Sequence, residues 1–292
     1  MNFLDKFKRV LPARKLDIKS RFDIVREAIS ATMSKFYVVR DRRTGQTLGL
    51  KVLDRKKTAA FEARFKGLNK PSEGEIAIRF KHPNIVVTYE YGVTTDRSRY
   101  LLMEYLPGPG INSLIAAKDA RLDGRRVDII RQAGEALAAV HQAGFLHRDV
   151  SPRNLMLAGD GETVKLIDFG LSIPAEEPFF QPGNRTGNPN YMAPELVRRR
   201  RTDLRVDVFA FGVTAYEICT LELPWQAGMT GQVAMSHEKP PIDIRRFRPG
   251  IHPALAKAIH WCVEPDVKKR CPSIVEFLMA IAEVDHENHP GG

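Results

Sequence analysis

His147-Arg148-Asp149-Val150-Ser151-Pro152-Arg153-Asn154, with Asp168-Phe169-Gly170 beginning fourteen residues beyond Asn154, constrains this chain more than any other feature. Asp149 and Asn154 stand five residues apart, and Asp168 precedes a Phe-Gly turn, so two loops carry three oxygen-bearing side chains. That set suits in-line phosphoryl transfer: one carboxylate orients an attacking hydroxyl, while an amide and a second carboxylate hold Mg²⁺ against nucleotide phosphates. Ala193-Pro194-Glu195 follows downstream. A lone Asp-Phe-Gly recurs by chance; the spaced combination is a specific signal.

The 292 residues suffice for one bilobal unit or two small domains, and 43% hydrophobic with 27% charged residues allows a sizeable core. No apolar run approaches the roughly 20 residues that span a bilayer. Met1 to Arg21 is too charged for a secretory signal, so a cytoplasmic location is expected. Cys219, Cys262 and Cys271 lack metal-ligand spacing and are expected to be reduced core thiols. The net charge of +10 is spread out, apart from the N-terminal segment and Arg198-Arg199-Arg200-Arg201. Aromatics are not interleaved with it as base stacking requires, so no nucleic-acid partner is expected. A positive field around a polyanionic nucleotide accounts for the charge more simply.

Strands are predicted at 36–39 and 48–53 around a Thr44-Gly45 turn. A helical stretch broken by Gly67 and Pro71 follows, and His82-Pro83-Asn84-Ile85-Val86-Val87 is expected to open another strand pair. Tyr100 to Tyr105 reads as a buried strand running into Pro107-Gly108-Pro109-Gly110, a candidate hinge. From Val127 onward helical periodicity dominates, with Ile129, Ile130, Ala133, Leu137 and Val140 on one face.

The catalytic-loop and Asp-Phe-Gly segments resemble those of eukaryotic-type protein kinases. The likeness covers about Arg21 to Ala282 and implies an α+β, bilobal fold: a small β-rich N-lobe with one main helix, then a larger helical C-lobe. It divides the chain into an extension at 1–20, an N-lobe at 21–103, a hinge at 104–110, a C-lobe at 111–282 and a tail at 283–292. Lys51 falls where the family has its phosphate-contacting lysine, and a buried lysine calls for a charged partner. Glu73 and Glu75 compete for that role. Glu73 is preferred: it lies nine residues before His82, and Ile76, Ala77 and Phe80 give it an apolar helix face, whereas Glu75 would turn Arg79 inward. Asp149 resembles the hydroxyl-orienting base, and Asn154 and Asp168 the Mg²⁺ ligands, with Mn²⁺ as an alternative metal. His147 resembles a structural buttress. Met103 matches the residue behind the adenine, Glu104 and Leu106 offer it backbone hydrogen bonds, and Met156 resembles its floor. Asp207 resembles the acid that caps the catalytic-loop backbone, and Glu195 with Arg270 the buried ion pair anchoring the activation segment.

Departures from the family pattern are as informative. The Gly-x-Gly-x-x-Gly lid falls on Ile29-Ser30-Ala31-Thr32-Met33-Ser34 and has lost all three glycines, leaving Ala31 and Ser34 as small residues for a phosphate cradle. Phe36 replaces a valine over the adenine. Ser151 stands where a lysine neutralises phosphoryl charge, and Arg153 resembles an alternative source of that charge. Asn188 replaces a threonine, which suggests a neutral Ser151–Asn188 network. Phe179 to Asn184 lacks any hydroxyl, so packing of Phe179 and Phe180 is weighed against phosphorylation as what orders the activation segment. Pro152 and the spacing from Pro189 to Tyr191 resemble the Ser/Thr side. Phe3, Leu4, Phe7, Val10 and Leu11 form a basic amphipathic pattern expected to pack or dock, with membrane contact through residues 1–11 a lesser expectation. The expected activity is ATP- and Mg²⁺-dependent transfer of a γ-phosphoryl group to Ser/Thr hydroxyls of a protein substrate. A nucleotide-binding scaffold with little or no catalysis is the alternative.

Overall fold

The computed structural model describes residues 15–27, 33–183, 185–225 and 237–288. Two compact units divide at Pro107 and Gly108. The first is built on a five-stranded antiparallel sheet of order β1-β2-β3-β5-β4, comprising β1 (Phe22–Glu27), β2 (Ser34–Asp41), β3 (Thr47–Leu53), β4 (Thr88–Val93) and β5 (Arg99–Glu104). The β2–β3 hairpin turns where Gly45, at φ +73°, donates its N–H to Asp41 O at 2.7 Å. Phe22, Val39, Leu48, Leu50, Tyr100 and Leu102 form its core cluster. Asp41 is fully buried and takes the Arg21 guanidinium at 2.9 Å, while the same arginine reaches Glu90 at 2.9 Å.

One strand here is not foreseen in the sequence, and one expected strand starts later than its residues suggest. β1 gives no alternating signal because it is an edge strand with a bulge between Ile24 and Arg26, and Ile24 and Val25 are exposed. The chain turns at Pro83 and Asn84, with Ile85 N–H on His82 O at 3.1 Å, and the strand of the β4–β5 pair begins only at Thr88. Ile85 and Val86 are buried ahead of that strand, so their β-branched run reads as part of it.

The second unit is mainly helical. Helix α5 (Arg126–Gln142; helices α1 to α4 are Ile18–Arg21, Arg55–Glu62, Glu73–Ala77 and Ile111–Ala117) buries Val127, Ile129, Ile130, Ala133, Leu137 and Val140. After α6 (Pro194–Val197), helix α7 (Arg205–Thr220) is buried nearly all round and packs against α8 (Pro253–Cys262). Their approach is close: a Cβ on Gly212 would lie 2.5 Å from Cys262 Cβ. Helix α9 (Ile274–Ala280) packs on α5. Beyond it Glu287 is buried, bonded to Arg126 at 2.6 Å, Arg248 at 2.5 Å and the Arg126 N–H at 2.9 Å. Two short antiparallel pairs, β6 (Phe145–Leu146) with β9 (Ile173–Pro174) and β7 (Leu155–Leu157) with β8 (Val164–Leu166), carry the loops of interest.

Among the described residues no helix is long and apolar enough to cross a membrane. The amphipathic pattern of residues 1–11 lies outside the described residues.

Candidate active site

The loop after β6 is held by one carboxylate. Asp207, on α7 and fully buried, accepts the backbone N–H of His147 at 2.7 Å and of Arg148 at 2.8 Å, with His141 Nε2 at 3.0 Å. Burial pushes the Asp207 carboxyl upward, yet the His141 hydrogen bond and charge, with the Arg148 N–H, bring it below its ordinary value. The Asp149 N–H reaches His147 Nδ1 at 3.3 Å, so Nδ1 accepts and Nε2 carries the proton toward Ile167 O, also at 3.3 Å. The His147 ring meets Phe169 edge to face at 5.3 Å. Its contacts are those of a brace. Arg148 and Asp168 both take φ +67°, a left-handed conformation that non-glycine residues rarely adopt and that concentrates at functional loops.

Both amide hydrogens of Asn154 go to Asp149: Nδ2 lies 2.7 Å from its backbone oxygen and 2.9 Å from Oδ2. The Asn154 Oδ1 is thereby turned away from Asp149. Asn154 immediately precedes β7 and Asp168 follows β8 by two residues, so the β7–β8 ladder brings an amide oxygen and a carboxylate to one end. A 2.9 Å bond from Ile167 N–H to Asn154 O closes that end, and Asp168 Oδ1 accepts the Gly170 N–H at 2.9 Å. Hard oxygen donors of this kind fit Mg²⁺. Arg153 Nη2 lies 3.8 Å from Asp149 Oδ2, its side chain 56% exposed. The Ser151–Asn188 network does not form. Ser151 Oγ is buried with no hydrogen-bond partner among the described residues, and Asn188 Oδ1 instead caps the Asn190 N–H at 3.2 Å.

In the sheet unit, Lys51 Nζ on β3 lies 2.6 Å from Glu73 Oε1, both side chains buried. Glu75 is taken by a capping box with Ser72, which starts α3. That helix runs only from Glu73 to Ala77, so Phe80 reaches the core from beyond it. Gly74 explains the close seat: a Cβ there would lie 2.5 Å from Tyr91. Gly49 likewise makes room for Phe36, since an added Cβ would fall 2.8 Å from its ring and 3.2 Å from Met103 Cγ. Glu104 gives its N–H to Val87 O at 2.9 Å and takes the Val87 N–H on its carboxylate at 2.7 Å. Leu106 is buried. Ser34 is buried as the first residue of β2, opposite Leu53; Ala31 and Ile29 lie outside the described residues. Met156, on β7 in the helical unit, bridges to Gly110.

The segment from Asp168 to Glu195 is fastened at several points. Phe179 is buried, and Phe180 O accepts the Thr202 N–H at 3.0 Å. Arg270 holds Glu195 with two bonds, at 2.7 and 2.9 Å. Tyr191 donates to Glu217, a pair that motif reading misses. Its signal is a second carboxylate in an otherwise apolar α7. Burial raises Glu217 above the ordinary carboxylate range, though the Tyr191 bond opposes this.

A buried lysine–glutamate pair, an Asp–Asn loop capped by a helix acid and a carboxylate held beside the asparagine together define a class, and comparison with known proteins names it. The protein kinase domain model matches residues 30–280, and the chain belongs to that family, whose members use ATP and a divalent metal. It is 30% identical over 226 residues to serine/threonine-protein kinase pkn3 of Myxococcus xanthus, covering 74% of this chain and 41% of that protein. It is 28% identical to a probable serine/threonine-protein kinase of Clostridium acetobutylicum (91% and 40% covered) and 31% identical to the human hormonally up-regulated neu tumor-associated kinase (80% and 32%). The chain thus spans less than half the length of these relatives.

Proposed function

We propose that this protein is a kinase that transfers the γ-phosphoryl group of ATP, with Mg²⁺, to Ser/Thr hydroxyls of a protein substrate. The observation that carries this reading is the Asn154 amide bonded twice to Asp149 while the β7–β8 ladder sets Asp168 beside it. Asp149 orients the hydroxyl and receives its proton. Asn154 Oδ1 and the Asp168 carboxylate would hold the metal ion, which supplies positive charge against the phosphates. Lys51, fixed by Glu73, is the candidate cation for the nucleotide phosphates, and Arg153 the candidate cation beside Asp149. Glu104, Leu106 and Met156 are the candidate adenine contacts, with Ala31 and Ser34 the remaining small residues of the lid. Relatives named as serine/threonine kinases favour that specificity.

Loss of the lid glycines weakens positioning, whereas the electrostatic groups, usually the larger contribution, are retained. This ordering favours a slow enzyme over a scaffold. Radiolabelled-phosphate transfer by purified protein, beside Asp168→Ala, is the test. Transfer is expected from the wild type and none from the variant, with the variant's circular dichroism unchanged. Equal transfer by both would overturn the assignment; none by either would favour the scaffold.

A further inference from the structure

Tyr191, Met192 and Leu196 line a pocket together with Asp149, Asn188 and Val206. A chain that presents a hydroxyl to Asp149 lays a neighbouring residue over this pocket, since consecutive Cα atoms lie only about 3.8 Å apart. The segment that forms the lining is pinned at three points. Tyr191 donates its hydroxyl to Glu217, and Arg270 holds Glu195. Between them, Met192 O lies 2.8 Å from His237 Nδ1. Met192 is also packed from the other side. Its Cε would lie 3.7 Å from a Cβ added to Gly187, and that Cβ would stand 2.9 Å from Arg148 O.

His237 belongs to none of the family motifs named above. It is fully buried, its ring tilted against Trp225 at 4.4 Å and Phe209 at 5.6 Å. Phe209, on α7, carries the Arg270 guanidinium over its face at 4.9 Å. Trp225 donates Nε1–H to Lys239 O at 3.0 Å, which fixes the backbone two residues beyond His237. A carbonyl oxygen only accepts, so His237 Nδ1 carries the proton. Burial lowers the pKa of the ring and keeps it neutral. Nε2 is buried with no hydrogen-bond partner among the described residues. A phenyl ring would stack on the two aromatics and leave no unsatisfied nitrogen. What the imidazole adds is one donor, aimed at Met192 O.

We propose that His237 is a positioning residue for substrate selection: its Nδ1–H fixes the Met192 carbonyl, and through it the pocket that receives the residue beside the phospho-acceptor of the protein substrate. This rests on the kinase reading above. Without the donor, the Met192–Ala193 peptide is free to turn and the Met192 side chain shifts with it. Asp149, Asn154 and Asp168 keep their places, because Asp207 and the β7–β8 ladder hold them independently. Loss of the bond therefore weakens capture of the protein substrate and spares the chemistry and ATP.

The test uses the purified full chain and a positional-scanning serine/threonine peptide library, with steady-state kinetics on the peptide that the wild type selects. His237→Phe is expected to flatten the preference at a position adjoining the phospho-acceptor. It should raise KM for the selected peptide about fivefold or more, with kcat and KM for ATP within about twofold of wild type. His237→Asn, whose amide nitrogen can stand where Nδ1 does, should recover most of the loss; His237→Gln, whose amide lies one bond further out, should not. A purely structural loss would instead shrink the folded fraction and lower kcat alone, and circular dichroism checks for it. Long-range ¹H–¹⁵N spectra of the wild type should show the Nδ1–H tautomer, a readout independent of how any variant folds. Transfer by the wild type with unchanged preference and KM in His237→Phe, equal recovery by Asn and Gln, or an Nε2–H tautomer would overturn this proposal and leave the kinase reading intact. No transfer by the wild type would overturn both.

Discussion

Arg153 stands four residues beyond Asp149 and 3.8 Å from its carboxylate, in a loop where Ser151 cannot neutralise phosphoryl charge. Arg153→Ala is expected to lower turnover more than tenfold, about 1.4 kcal/mol of barrier, with little change in KM for ATP. Steady-state kinetics on purified protein checks this, and Ser151→Lys in that background should recover part of the loss. A second residue-scale prediction concerns Phe36 and Gly49, which share one space. Gly49→Ala is expected to cost about 1–3 kcal/mol of stability by overpacking, measured by urea unfolding. Adding Phe36→Val should recover most of it, because the ring that the new methyl meets is gone.

At the scale of elements, short strands and helix ends place the chemistry. The β7–β8 ladder is only three residues a side, yet it sets Asn154 and Asp168 at one end. Helix α3 is five residues long, and its capping box occupies the glutamate that would otherwise compete for Lys51. The segment after α9 is as firmly tied: Glu287 is buried among Arg126, Arg248 and two backbone N–H groups. Glu287→Ala would leave Arg126 buried without that partner. It is expected to cost about 3–5 kcal/mol in chemical denaturation, while Glu287→Gln, which keeps the acceptor oxygen, should cost less.

Across the whole molecule, buried carboxylates set the response to acid. Burial pushes Asp207 upward, but its hydrogen bonds bring it below the ordinary 3.8, and Asp41 in the sheet unit behaves alike through Arg43 and Arg21. A folded-state pKa below the unfolded one contributes stability above the unfolded value, lost as pH falls through the folded one. The urea midpoint is therefore expected to hold from pH 7 to about pH 5 and to fall below about pH 4. Asp207→Asn should flatten the helical unit's share of that decline.

The sequence by itself determined what is local. The spacing of Asp149, Asn154 and Asp168 points to the protein kinase family, the Thr44-Gly45 turn fixes a hairpin, and the apolar stripe of α5 marks its buried face. These features lie within one hairpin, turn or helix, where a few residues dictate the geometry. Tertiary structure decided what depends on distant neighbours. Strand β1 carries no periodic signal because an edge strand buries little. His82 to Val87 looks like a strand because burial selects the same residues just ahead of β4. The room that Gly49 leaves for Phe36, the seat of Gly74 on Tyr91 and the approach of Gly212 to Cys262 all arise from packing. Close packing acts between residues that touch, whatever their separation along the chain, so these contacts are absent from any short stretch of sequence.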